Sequence, residues 1–222
     1  KLLAKMKQVL ESFFDHIYAR AFVHNRISLI DLLKSTEQHL FRRTQVRQIL
    51  DALRQNEFSR YLSELSSVLL DADIRFHIKT AICQWLSSID NPKEQEFEII
   101  SRFDDRNLKF HQFFRSAVLS SASWFDLLNE KKWVGQQLNT DNKERVEVVL
   151  WWLSNIAGER PVEIASLLRA WWNGNMERAG QLLNWFGFVR SRKPEDALLQ
   201  LCEDVINSHP KDLFQDRGRN QI

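Results

Sequence analysis

One run in this sequence restricts the fold more than any other. Ile74, Ile78, Ala81, Ile82, Trp85, Leu86 and Ile89 recur at spacings of three and four, the repeat that lines one face of an α-helix and neither face of a strand. The run stops at Asp90-Asn91-Pro92-Lys93-Glu94. Asn91 suits a helix N-cap, Pro92 the first helical position, and Glu94 the place three residues after the cap. A second helix is therefore expected at once, with Phe97, Ile100 and Phe103 on its apolar stripe. Two helices joined by two or three residues must fold back on each other, so the expected building unit is an antiparallel helix pair.

The same pattern recurs along the chain. Leu3, Met6, Leu10, Phe13, Phe14, Ile17 and Ala21 draw one stripe down a long first helix, and Ser28 is placed to cap a short helix through Leu29 and Leu33. Val46, Ile49, Leu50 and Leu53 mark a third helix, and residues 57–70 a fourth. Further on, Val146, Val149, Leu150, Leu153 and Ala157 form one stripe, while Val148, Trp151 and Trp152 form a second on the same segment. A helix apolar on two faces is expected between neighbours. Gly158 closes it, Pro161 opens the next, and Asn173-Gly174-Asn175 separates that one from a helix bearing Met176, Ala179, Leu182, Leu183 and Phe186. Leu198, Leu201, Cys202 and Val205 belong to the last. With six glycines and four prolines in 222 residues, turn-formers are too few for a sandwich or barrel. The expectation is an all-α chain of at least nine helices with no sheet.

Four segments follow from this pattern: a helical region over 1–103, an irregular connector with two short helices over 104–142, C-terminal helical repeats over 143–208, and a polar, flexible tail over 209–222. The breaks Ser120-Ser121-Ala122-Ser123 and Asn139-Thr140-Asp141-Asn142 punctuate the connector. Asp71 to Arg75, then Trp85-Leu86-Ser87-Ser88-Ile89 and Pro92, are loosely echoed by Asp141 to Arg145, then Trp152-Leu153-Ser154-Asn155-Ile156 and Pro161. Helix, tight turn, helix, repeated, points to an α-solenoid of stacked antiparallel helix pairs. The opening Asp71-Ala72-Asp73-Ile74-Arg75 resembles that of a HEAT repeat.

Charge excludes little but directs the choice of partner. The 31 Lys and Arg against 29 Asp and Glu leave +2, with both signs interleaved, so neither nucleic acid nor an anionic membrane is the expected partner. Cys83 and Cys202 lie inside apolar helical patterns rather than in a CxxC pair, which fits reduced thiols and a cytoplasmic location. No apolar stretch reaches the length of a membrane span.

Chemistry-bearing patterns are few. There is no Gly-x-x-x-x-Gly-Lys-Ser/Thr loop to cradle phosphates, no Gly-x-Ser-x-Gly elbow, and no His-x-x-x-His or Glu-x-x-His pairing among the six histidines. The expectation is a non-enzymatic segment with no catalytic, cofactor-binding or metal-ligating residues. Recognition residues are the alternative. Trp151-Trp152 and Trp171-Trp172 are adjacent pairs, and helix neighbours point about 100° apart, so one member of each pair is either enclosed by a second layer or lines an exposed groove. Trp151 and Trp172 are the candidates for the groove. Arg43, Arg47 and Arg54 share a helical face with Asp51 within a turn of two of them. That face reads either as solvated and partly self-neutralised or as a site for phosphate or an acidic partner.

The N-terminal half carries a further signal. Ser12-Phe13-Phe14-Asp15-His16, Tyr18-Ala19-Arg20-Ala21-Phe22-Val23, Ser28-Leu29-Ile30-Asp31-Leu32-Leu33, Glu37-Gln38-His39-Leu40-Phe41-Arg42-Arg43, Val46-Arg47-Gln48-Ile49-Leu50, Arg60-Tyr61-Leu62 and Ile74-Arg75-Phe76-His77-Ile78-Lys79 resemble, in that order, the segment after the ATPase core of large bacterial NACHT-type members of the STAND class of signalling NTPases. The resemblance covers about the first 100 residues. It implies a helical regulatory scaffold between an ATPase module and a sensor, in proteins that oligomerise on detecting a ligand, often in antiviral defence. The expected partners are other domains of a parent chain or a separate protein. A stand-alone adaptor for a protein or peptide is the second reading, and a HEAT-like nucleic-acid binder the third.

Overall fold

In the computed structural model, which describes residues 16–106, 111–189 and 195–208, the apolar stripes become helices. Thirteen are found among the described residues, and no strand. The stripe from Leu3 to Phe14 and the tail 209–222 lie outside the described residues. The chain divides into two units, Lys1–Ser123 and Trp124–Ile222.

The first unit holds α1 (16–24), α2 (Leu29–Ser35), α3 (Arg42–Asn56), α4 (Phe58–Leu70), α5 (Phe76–Leu86), α6 (Glu94–Arg106) and α7 (His111–Ala117). Ser28 caps α2, its hydroxyl accepting from the Asp31 amide at 3.4 Å. Helix α3 packs on α4 and α5, α4 on α6, and α5 and α6 on α7. Ile49, Leu50 and Leu53 of α3, Leu65 and Leu69 of α4, and Ile78, Ile82 and Leu86 of α5 are buried in this unit. The period of 3.6 places these residues on the inward stripes.

Turn carbonyls in this unit are satisfied by arginines from distant helices. Helix ends leave backbone groups without intrahelical partners. Arg60 of α4 donates to Val23 O at 2.9 Å and Ile27 O at 2.8 Å, on either side of the α1–α2 turn, while its guanidinium lies 5.9 Å from the Phe22 ring centroid. Arg54 of α3 does the same for the α5–α6 turn, donating to Asp90 O at 3.2 Å and Asn91 O at 3.0 Å.

That turn differs from the sequence expectation by two residues. Asn91 adopts a left-handed conformation with φ 49°, and α6 begins at Glu94. Lys93 precedes the first turn, and its amide donates to the Glu96 carboxylate at 2.7 Å. Glu96, not Glu94, reaches back as a capping acid does. Helix α5 is also shorter than its stripe. Ile74 and Ile89 are buried from the flanking turns. Ser121 and Ser123, read from the sequence as part of a break, both donate to Ser87 O beyond the end of α5, Ser123 at 2.9 Å.

The second unit holds α8 (Phe125–Glu130), α9 (Trp133–Leu138), α10 (Lys143–Ile156), α11 (Pro161–Trp172), α12 (Met176–Phe186) and α13 (Asp196–Ser208). Residues 104–142 thus include three short helices, α7, α8 and α9, where two were expected. Asn142 caps α10 and Asn175 caps α12, each accepting from the amide three residues on, at 3.2 and 3.1 Å. Pro161 occupies the start of α11. Asn173 and Gly174 take positive φ of 42° and 74°, the left-handed pair that ends a helix and that asparagine and glycine tolerate best. Helix α9 packs on α10 and α11, α10 on α12, and α11 on α12 and α13. No described helix is long and apolar enough to cross a membrane.

Candidate recognition groove

The paired tryptophans have different environments. Trp152 is fully enclosed and packs against Phe125 with ring centroids 5.9 Å apart, whereas Trp151, one residue earlier, is 45% exposed. The second pair does not repeat this split: Trp171 is buried, and Trp172 is only 7% exposed. Trp172 is therefore corrected from a groove residue to a core residue. Helix α11 is covered by α9, α12 and α13, so both of its tryptophan directions meet protein. The Trp171 indole donates to Leu138 O at 2.7 Å, and the Arg178 guanidinium lies 5.4 Å from its ring centroid.

Trp151 lines a groove of about 390 Å³ between α10 and α12. Helix α10 contributes Lys143, Val146, Glu147, Leu150, Trp151 and Ser154, a set spaced by three and four. Gln181, Asn184, Trp185 and Phe188 face them from α12 and the turn after it. The floor is apolar and held in place: the Trp185 indole donates to Leu150 O at 2.7 Å, and its ring packs edge-on to Phe186 at 5.1 Å. Phe188 is 67% exposed. Lys143 and Glu147 put one charge of each sign beside this apolar surface. Ser154 is buried and donates to Trp151 O at 2.7 Å, and Asn155 donates to the same carbonyl at 2.9 Å. Those bonds anchor the backbone beneath the exposed indole.

The helical stripe does not assign Phe188 a face, because it follows the last helical residue of α12. A broader recess of about 860 Å³ beside α9 and α11 is lined by Asn129, Lys132, Gln136, Asn139 and Glu163 among others. Among the described residues that line it, the one aromatic side chain, Trp171, is buried.

The three arginines of α3 also separate. Arg54 is corrected from a partner-facing residue to an internal one: its Nε donates to Glu96 Oε1 at 2.7 Å and its Nη2 to Oε2 at 3.3 Å, and Glu96 has no solvent exposure. Burial opposes the charge on Arg54, but its hydrogen bond to Glu96 and the carboxylate's field outweigh this and raise its pKa. Tyr61, also buried, lies in the same field. Burial first, then the Glu96 charge, push its phenol far above its ordinary value. Arg43 and Arg47 point elsewhere, into a shallow recess beside Trp85.

Among the described residues no group of three His, Cys, Asp or Glu side chains is placed to hold a metal ion. Comparison with protein-family profiles, curated proteins and solved structures finds no match to this chain.

Proposed function

We propose that this chain is a non-catalytic recognition scaffold, and that the α10–α12 groove takes an apolar side-chain cluster from a protein partner or from another domain of a larger parent chain. The observation that carries this is the exposure of Trp151 and Phe188 over the buried Leu150–Trp185 floor. Large aromatic rings exposed beside a packed floor are characteristic of binding hot spots, where Trp is enriched. In the finer architecture of this reading the helix pairs stack as a HEAT-like α-solenoid. It is supported within each unit by helices packing on their next-but-one neighbours, α3 on α5, α4 on α6, α9 on α11 and α11 on α13.

The resemblance of the N-terminal half to the post-ATPase segment of STAND proteins supports the wider reading, a regulatory region of a signalling ATPase, with a stand-alone adaptor as its competitor. A phosphate-binding loop encoded upstream of Lys1 favours the first, and an initiator immediately before Lys1 favours the second. The groove itself is tested by selecting displayed peptides on the chain and counter-selecting on Trp151→Ala. Sequences rich in apolar residues should be retained by the parent chain and lost on the variant. Equal retention on both removes the groove from the proposal.

A further inference from the structure

The first unit carries a recess of its own. It measures about 290 Å³ and is lined by Leu40, Arg43, Thr44, Arg47, Gln84 and Trp85 among eight described residues, none of them acidic. Helix α3 supplies the two arginines one turn apart, and α5 supplies Gln84 and Trp85.

The charge in this recess is not compensated from within. Asp51, one turn beyond Arg47 on the same helix, accepts from Gln55 Nε2 at 2.9 Å. Arg43 donates its Nε to Leu40 O at 3.4 Å, and among the described residues the Arg47 side chain has no hydrogen-bond or ion-pair partner. Two carboxylates of this unit are engaged by other cations, Glu96 by Arg54 and Asp71 by Lys34 at 2.7 Å. Two guanidiniums therefore line the recess, Arg47 with its fork unused by the described residues and Arg43 with its terminal nitrogens unused by them, beside Gln84 and Thr44. Such forks match a carboxylate or phosphate in two-point geometry.

Apolar exposure at the rim selects between these anions. Leu40 lines the recess and is 61% exposed, and Phe41, next in sequence, is 86% exposed. A free phosphate or a nucleic-acid backbone gains nothing from the exposed Leu40 side chain in the recess wall, and the interleaved charge of the chain offers no continuous basic track. A peptide with Asp or Glu next to Leu or Phe satisfies both features at once. We infer that the Arg43–Arg47 recess binds an acidic, apolar peptide segment of a protein partner, its carboxylate held between the two guanidiniums and its apolar neighbour resting on Leu40. This surface is separate from the Trp151 groove, and its test stands whatever the outcome there.

The test is affinity selection, read by mass spectrometry, from two pools of short synthetic peptides. One mixes Asp, Glu, Leu and Phe, and the other replaces both acids by Lys. The full chain should retain peptides from the acidic pool alone. The Arg43→Gln/Arg47→Gln chain should bind the retained peptides at least about tenfold more weakly, since each charge-assisted bond contributes at that level, with an unchanged melting temperature. Leu40→Ser should weaken the same peptides with both arginines in place, while Arg102→Gln, an exposed arginine paired with Glu98, should leave them unaffected. Inorganic phosphate and a single-stranded oligonucleotide serve as competitors. Equal retention of the Lys pool, undiminished binding by the double variant, or tighter binding of either competitor than of any acidic peptide would overturn the assignment.

Discussion

Arg54 of α3 and Glu96 of α6 meet across 42 positions of sequence, Nε to Oε1 at 2.7 Å, and the carboxylate they share with the Lys93 amide has no solvent exposure. One carboxylate thus starts α6 and ties it to α3, and the same guanidinium closes the carbonyls of the α5–α6 turn. Removing one partner leaves a buried charge uncompensated, which costs on the order of 3–5 kcal/mol. Arg54→Ala should lose about that much in urea denaturation, and Glu96→Gln less, because the amide oxygen still accepts. Arg54→Ala/Glu96→Leu should recover part of the loss, since no buried charge is left unpaired, but not all of it, because the Lys93 amide loses its acceptor and the Asp90 and Asn91 carbonyls their donor. A single Arg54→Ala chain as stable as the parent would show that the pair contributes little.

The tryptophans should separate by position rather than by residue type. Trp152→Ala and Trp85→Ala each empty an enclosed volume and should cost about 3–5 kcal/mol. Trp151→Ala removes a half-exposed ring and should cost clearly less than either, about 1–1.5 kcal/mol, while abolishing capture of apolar peptides. Thermal melts of the three variants decide this, and a loss at Trp151 comparable to that at Trp152 would make it a packing residue instead.

Stability below pH 4 should depend on two surface aspartates. Asp71 is held below its ordinary value of 3.8 by the Lys34 hydrogen bond and then the Asp73 amide, and Asp204 by Arg169 and then Gln200. A carboxyl depressed in the folded state contributes fully above 3.8, and the contribution disappears as pH falls through its lower folded value. Asp71→Asn and Asp204→Asn should therefore flatten the acid limb of the stability profile, and added salt should do the same because both pairs face solvent. Glu64 acts in the opposite sense. Burial raises its pKa above 4.5 despite its bond from the Leu29 amide, so its contribution is greatest when protonated and is lost as pH rises through the raised value. Glu64→Gln should remove that component.

Nucleotide should have no saturable site on this chain. The sequence offers neither the glycine-rich backbone cradle nor the lysine that holds the phosphates in a P-loop. Isothermal titration with ATP and magnesium should give no binding at micromolar concentrations, and a saturable isotherm would contradict the reading of a non-catalytic segment.

What the sequence determined by itself is what depends on neighbours within a few turns. The three-four stripes specify helices because a period of 3.6 allows only one surface to collect them. Pro161 and the Asn173-Gly174 pair mark helix ends by backbone preference, and Asn142 and Asn175 by side chains that accept from amides three residues on, so all of them act locally. The tertiary structure decided what local pattern leaves degenerate. Trp151 and Trp172 both stand in adjacent tryptophan pairs, yet only Trp151 is open to solvent, because α11 has neighbours on both tryptophan faces and α10 does not. Arg43, Arg47 and Arg54 occupy one face of α3, yet Arg54 alone is internal, because its counter-charge arrives from Glu96 on another helix. Periodicity along one helix carries no information about which helix packs against it, and that contact separates a core residue from an exposed one.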